Sequence, residues 1–222
     1  DVGDMIADIR SDRERLTVTV VHRHRACSGN RAFGTCRAGN GIGIIGDTYK
    51  TTDKVDIYNF TTKTWSQASL SQARAYASAV TVGSKIIIAG GITEIDKPTN
   101  RVDIYDASTG IWTTAALSVP RAAIENAVVV SGKAYFVGGG NFMGGGFDSP
   151  SNAIDIYDPV LDKWTVDSLS QPIESHSVIG VGNHLLVAGG QTIDGLCLKK
   201  VEIFTAPITG ITSNQMEDTF LR

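Results

Sequence analysis

Val55-Asp56-Ile57-Tyr58 returns as Val102-Asp103-Ile104-Tyr105, Ile154-Asp155-Ile156-Tyr157 and Val201-Glu202-Ile203-Phe204, the starts lying 47, 52 and 47 residues apart. Seven residues beyond each Tyr of the first three strings stands a tryptophan, Trp65, Trp112 and Trp164. Five residues later comes Leu-Ser, at Leu70, Leu117 and Leu169. Upstream of the last three strings an apolar run ends in paired glycines: Gly90-Gly91, Gly138-Gly139 and Gly189-Gly190. Coincident registers of this kind mark a repeat protein, and a period near 50 residues points to stacked supersecondary units.

Each unit reads as four short strands. Ala77 to Val82, Asn126 to Val130 and Ser177 to Val181 end at the turn dipeptides Gly83-Ser84, Ser131-Gly132 and Gly182-Asn183, and an apolar run follows at once, as in a hairpin. The glycine pairs predict close backbone approach. Asn59, Asp106 and Asp158 stand at the first position of a turn, where a short side chain bonds the backbone ahead. The Trp opens the fourth strand and offers a ring to a neighbouring unit. A four-stranded sheet of this size cannot bury both faces alone, and radial stacking of such sheets gives a β-propeller. The expected fold class is therefore all-β.

Glycine pair, spaced Tyr and Trp together resemble the kelch repeat, and the resemblance covers residues 41–204. It implies a kelch-like β-propeller with one four-stranded blade per unit, about four units, as a small ring or a partial one. It also implies long inter-strand loops on one rim, here 40–54, 92–101, 140–153 and 191–200, that bind another protein. A minority of the family are enzymes, among them a copper radical oxidase of galactose and an epimerase of sialic acid. A glycan-binding adhesion protein is a third reading.

The ends depart from the pattern. Residues 1–40 read as a degenerate first unit or an atypical arm. In one register Leu16 to Val21 is a first strand, Gly29-Asn30 its turn and Ala38-Gly39 a remnant glycine pair. In the other, Gly41 to Gly46 is the glycine strand itself. The fourth unit has no Trp after Phe204, and residues 205–222 read as a tail. Residues 1 to 21 are a candidate for its missing outer strand. Open blade edges would make self-association a hazard.

Composition narrows the function. Twenty Lys+Arg against 23 Asp+Glu give a net charge of -3, unlike the basic footprint of a nucleic-acid binder. Apolar runs span only a few residues, so no membrane insertion is expected. The start, Asp1-Val2-Gly3-Asp4, has no leader-like basic and apolar regions. Three cysteines do not make a disulfide scaffold.

Candidate chemistry is sparse. His22, His24, Cys27 and Cys36 are zinc-type ligands, but their spacing matches no structural zinc module, and no metal or other cofactor is expected. Gly138 to Gly146 holds six glycines, yet a strand follows where a phosphate loop needs a helix. No Gly-x-Ser-x-Gly or His-Glu-x-x-His string occurs, so no catalytic residue is assigned. Asp56, Asp103, Asp155 and Glu202 are periodic and therefore architectural. Asn59-Phe60-Thr61 is a formal glycosylation acceptor. Arg74 and Arg121 share one register, with Ile173 in the third unit. An arginine there meets either an acidic partner or the carbonyls and Asp of the adjacent blade. Tyr76, Glu125 and His176 lie near that register and vary from unit to unit. With Phe142 and Met143 of the glycine-rich loop and the two arginines, they are the candidate binding residues.

Overall fold

The computed structural model describes residues 18–21, 43–45, 48–59, 64–94, 97–124, 127–143 and 146–206. Among them the architecture is all-β, a succession of antiparallel propeller-type blades, and no helix is long and apolar enough to cross a membrane. The second blade is the complete example. Ser78–Val82, Lys85–Ala89, Arg101–Asp106 and Ile111–Ala116 pair in sequence order, with Asp103 opposite Ile88 and Tyr105 opposite Trp112. The third blade repeats it with Val128–Val130, Lys133–Val137, Ser151–Asp158 and the first half of Lys163–Val181. The second half of that strand is the inner strand of the fourth blade, which continues through His184–Gln191 and Val201–Thr205.

The first blade corrects both registers offered for its start. Val18–Val21 pairs with Thr52–Asn59, placing Val21 opposite Asp56 as Ile88 lies opposite Asp103. It therefore stands in the second-strand place, not the first, and does not complete the fourth blade beside Val201–Thr205. Gly43–Ile45 is no blade strand either. It pairs with Thr48–Lys50 in a separate hairpin, like Ile92–Glu94 with Lys97–Pro98 and Asn141–Met143 with Gly146–Asp148. These hairpins occupy the connections between second and third strands, so the stretch 140–153 is folded back on itself rather than an open loop. Gly29-Asn30, Ala38-Gly39 and the His22/His24/Cys27/Cys36 set lie outside the described residues.

The turns behave as the sequence predicts where their side chains are described. Ser108 N–H donates to Asp106 Oδ1 at 2.9 Å, and Val160 N–H to Asp158 Oδ1 at 2.9 Å. The Ser108 hydroxyl and amide hold the Asp106 carboxyl below the usual carboxylate range.

The core lies between blades. Val55, Ile57 and Leu70 of the first blade pack with Ala77, Ile88 and Trp112 of the second. Val82, Ile87 and Ile104 of the second meet Phe136, Tyr157 and Trp164 of the third. Val130, Tyr135 and Ile154 of the third meet Val178, Leu185 and Val187 of the fourth. Trp112 and Trp164 thus serve the junction with the preceding blade, sitting 5.0 Å and 5.1 Å from the rings of their own blades' Tyr105 and Tyr157. Trp65, in the first blade, is 50% exposed.

One register measures what a following blade contributes. Val82 and Val130, each at the end of an inner strand, are 3% and 1% exposed, whereas Val181 at the same place in the fourth blade is 53% exposed. Val82→Ala is expected to cost about 2 kcal/mol through lost burial and a cavity. Val181→Ala should stay within about 0.5 kcal/mol of the parent. Urea denaturation of the two variants checks this; equal losses would mean that Val181 is covered in solution.

Candidate functional site

The rim is built where the outer strand of one blade crosses to the inner strand of the next. Arg74-Ala75-Tyr76-Ala77, Arg121-Ala122-Ala123-Ile124 and Ile173-Glu174-Ser175-His176 occupy equivalent places. The third residue of each has left-handed backbone, with φ of 55° at Tyr76, 48° at Ala123 and 52° at Ser175. Side chains other than glycine adopt this conformation at a cost, and recurrence at one register means that the crossing requires it. The second residue then bridges to the foot of the neighbouring connection: Ala75 to Ile92, Ala122 to Gly140, Glu174 to Gln191. The crossings and the hairpins between second and third strands therefore share one end of the blades.

The glycine pairs floor this rim, and every member has positive φ. A Cβ on Gly91 would fall on the Ala75 carbonyl oxygen, and one on Gly139 would lie 2.6 Å from that of Ala122. Gly90 lies against the Arg121 carbonyl of the next blade, and Gly138 beneath the His176 imidazole, its Cβ position 2.5 Å from Cε1. Gly91 N–H donates to the Arg121 carbonyl at 3.0 Å. In the fourth blade Gly189 has nothing nearer than 3.9 Å, the Leu198 carbonyl.

Both arginines are fully buried. Arg74 reaches Asp103 of the following blade at 2.7 Å and donates to the Ile88 carbonyl at 3.0 Å. Arg121 reaches Asp155 at 2.7 Å and donates to the carbonyls of Gly138 at 2.8 Å and Phe136 at 3.1 Å. Burial alone would draw each guanidinium down from its ordinary pKa, and the facing carboxylate opposes that. The carboxylates also accept from the preceding blade's Leu-Ser: Ser71 N–H to Asp103 at 2.9 Å, and Ser118 N–H to Asp155 at 2.8 Å. A guanidinium so enclosed fastens blade to blade and exposes no donor to a partner, Arg74 Nε being unpaired but buried. The geometry is the alternative weighed for it, carbonyls and the adjacent Asp. Where Ile173 replaces Arg, the longer Glu202 still accepts from Ser170 N–H at 3.0 Å, and Lys200 supplies the cation at 3.4 Å.

The other candidates separate. Tyr76 is exposed on the rim. Phe142 and Met143 stand on the first arm of their hairpin, opposite Phe147 and Gly146. Glu125 lies outside the described residues. His176 is 3% exposed, with neither ring nitrogen hydrogen-bonded, beside Glu174 at 5%, whose Oε1 accepts from Gln191 Nε2 at 2.9 Å. Sequence reading passed over Glu174 and Gln191. The signal was available: the two other crossings carry alanine where Glu174 stands.

Burial lowers the His176 pKa below the ordinary value of 6.5, against a smaller opposing effect from the nearby Val137 backbone, which is not in hydrogen-bonding geometry. The folded chain therefore binds fewer protons here than the unfolded chain, and this contribution is full above the ordinary value and lost as pH falls through and below it. His176→Ile, the residue of the third blade's register, is expected to lose less stability than the parent between pH 7.5 and 5. Urea midpoints at the two pH values check this, and equal losses would exclude a buried neutral imidazole.

The comparisons agree with this architecture. A family model of the kelch motif matches residues 73–116, the outer end of the first blade and the second through Ala116. The solved structure of YjhT shares the fold, with a TM-score of 0.54 and 23% identity, over 73% of this chain and 52% of that one. The chain thus spans about half the length of that structure. No curated protein matches it by sequence. The motif over 73–116, with its glycine pair, Tyr and Trp repeated in register in the neighbouring blade, makes this stretch similar to the kelch motif, and the fold around it is one of propeller blades.

Proposed function

We propose that the chain is a non-enzymatic binding module that holds a partner protein on the rim formed by its crossings and second-to-third-strand hairpins. One observation carries this reading. At each crossing the residue at the arginine register, Arg74, Arg121 or Ile173, is buried, while the left-handed residue two places later carries a different side chain in each repeat, Tyr76, Ala123 or Ser175. A rigid frame with variable projecting groups is how loops on a scaffold come to recognise partners. The exposed Tyr76, and Ile193 and Leu196 of the fourth blade's connection, supply apolar anchors. Residues 41–204, with Val18–Val21, are taken as the working unit.

The test places a photo-crosslinking phenylalanine analogue at Tyr76, at Ile193 or at Leu161, an exposed turn at the opposite end. Adducts with one partner from the two rim positions alone, competed by unlabelled chain, are expected. Equal labelling from Leu161, or none at the rim, would remove the proposal. The competing reading, a piece of a propeller enzyme, predicts stoichiometric copper or turnover of a sugar panel. Self-association through the edge of Val201–Thr205, which no strand among the described residues covers, is measured separately by light scattering.

A further inference from the structure

The third crossing, which leads into the fourth blade, breaks the repeat with polar residues in buried places. Where the second and third blades set Ala75 and Ala122, it sets Glu174; where they set Ala77 and Ile124, it sets His176; and Gln191 replaces Ile92 and Gly140. In the other two blades Ala75, Ile92 and Ala122 make a dry cluster, so blade architecture does not ask for polarity here. Glu174 and His176 alternate along one strand and share its buried face, while Ser175 between them is exposed. Gln191 satisfies one carboxylate oxygen; the other, and both imidazole nitrogens, have no partner among the described residues. Leaving such groups unpaired in the interior is costly, so the place is suited to something that binds there.

We propose that Glu174 and His176 form a pocket for a primary ammonium group, presented as a lysine side chain of the partner protein. An ammonium has three donors and no acceptor. It can donate to the open Glu174 oxygen and to the unprotonated imidazole nitrogen, and its charge offsets a carboxylate that has no cation beside it among the described residues. An anion would face that carboxylate, and two ligating side chains fall short of what zinc takes. That the ammonium belongs to a lysine rests on the protein-binding reading; the chemistry of the pocket does not.

The test titrates n-butylammonium into the isotopically labelled chain and follows the His176 imidazole resonances. A saturable shift is expected, absent with n-butanol and at least about tenfold weaker in Glu174→Gln. Glu174→Ala, which installs the residue of the two sibling crossings, provides the same comparison should the Gln variant not fold. No saturation, or an unchanged response in these variants, would overturn the pocket and leave the crosslinking result at Tyr76 untouched. Nα-acetyl-lysine methylamide should bind at least as tightly as n-butylammonium. Its exclusion would overturn the lysine assignment.

Discussion

Arg121→Ala is expected to cost about 3–5 kcal/mol, enough to unfold a marginal chain at room temperature. The loss has two sources. Asp155, 2% exposed at its side chain, would keep its bonds to Ser118 but lose the cation 2.7 Å away. The carbonyls of Gly138, Phe136 and Val119 would lose their donors in the same step. Arg121→Lys should recover little, because an ammonium is a point donor and cannot reach a carboxylate and backbone carbonyls in different directions as the planar fork does. Arg121→Met with Asp155→Leu should recover much of the loss, since removing both charges of a buried pair is far cheaper than stranding one. Urea denaturation of the three variants decides the matter. A single Ala variant as stable as the parent would mean that water enters the junction and screens the pair.

The blade is legible in sequence because its chemistry repeats. Trp112 and Trp164 recur at a fixed distance from their strings because each packs on the preceding blade beside its own Tyr. Asp103 and Asp155 recur because each takes a Ser N–H and an Arg from the blade before. Periodicity therefore named the acidic set as architectural, and the same reasoning extended to the arginines would have separated them from the rim. What periodicity cannot read is a strand that carries no motif. Val18–Val21 has the β-branched character of a second strand, but the glycine pair that marks that strand elsewhere is not attached to it. Its register is set by pairing with Thr52–Asn59, a contact across more than thirty residues that no local pattern records. The Glu174–His176 pair was hidden differently. His176 reads from the sequence as a variable residue, but its meaning lies in what its siblings are, alanine and isoleucine at buried apolar places. In a repeat protein the shared residues report the frame, and a buried departure from them is the better pointer to a site.

Gly139→Ala is expected to destabilise the chain by about 3 kcal/mol or more, and Gly189→Ala by only about 1 kcal/mol. Both positions have positive φ, +94° and +68°, so both variants carry the cost of left-handed backbone. They differ in what the new methyl would meet. At Gly139 it would lie 2.6 Å from the Ala122 carbonyl oxygen and 3.1 Å from Ile124 Cγ1, main chain and core that cannot step aside without breaking the Ala122–Gly140 bridge. At Gly189 the nearest atom is 3.9 Å away, because no blade among the described residues packs over it. Gly138 completes the comparison, since it is the first glycine of its pair, as Gly189 is, but has His176 of the next blade over it. Its Ala variant should fall with Gly139 rather than with Gly189. If all three alanines cost only about 1 kcal/mol, the glycines serve backbone conformation alone. If Gly189→Ala proves as damaging as Gly138→Ala, something in solution already lies against the fourth blade where the described residues leave it open.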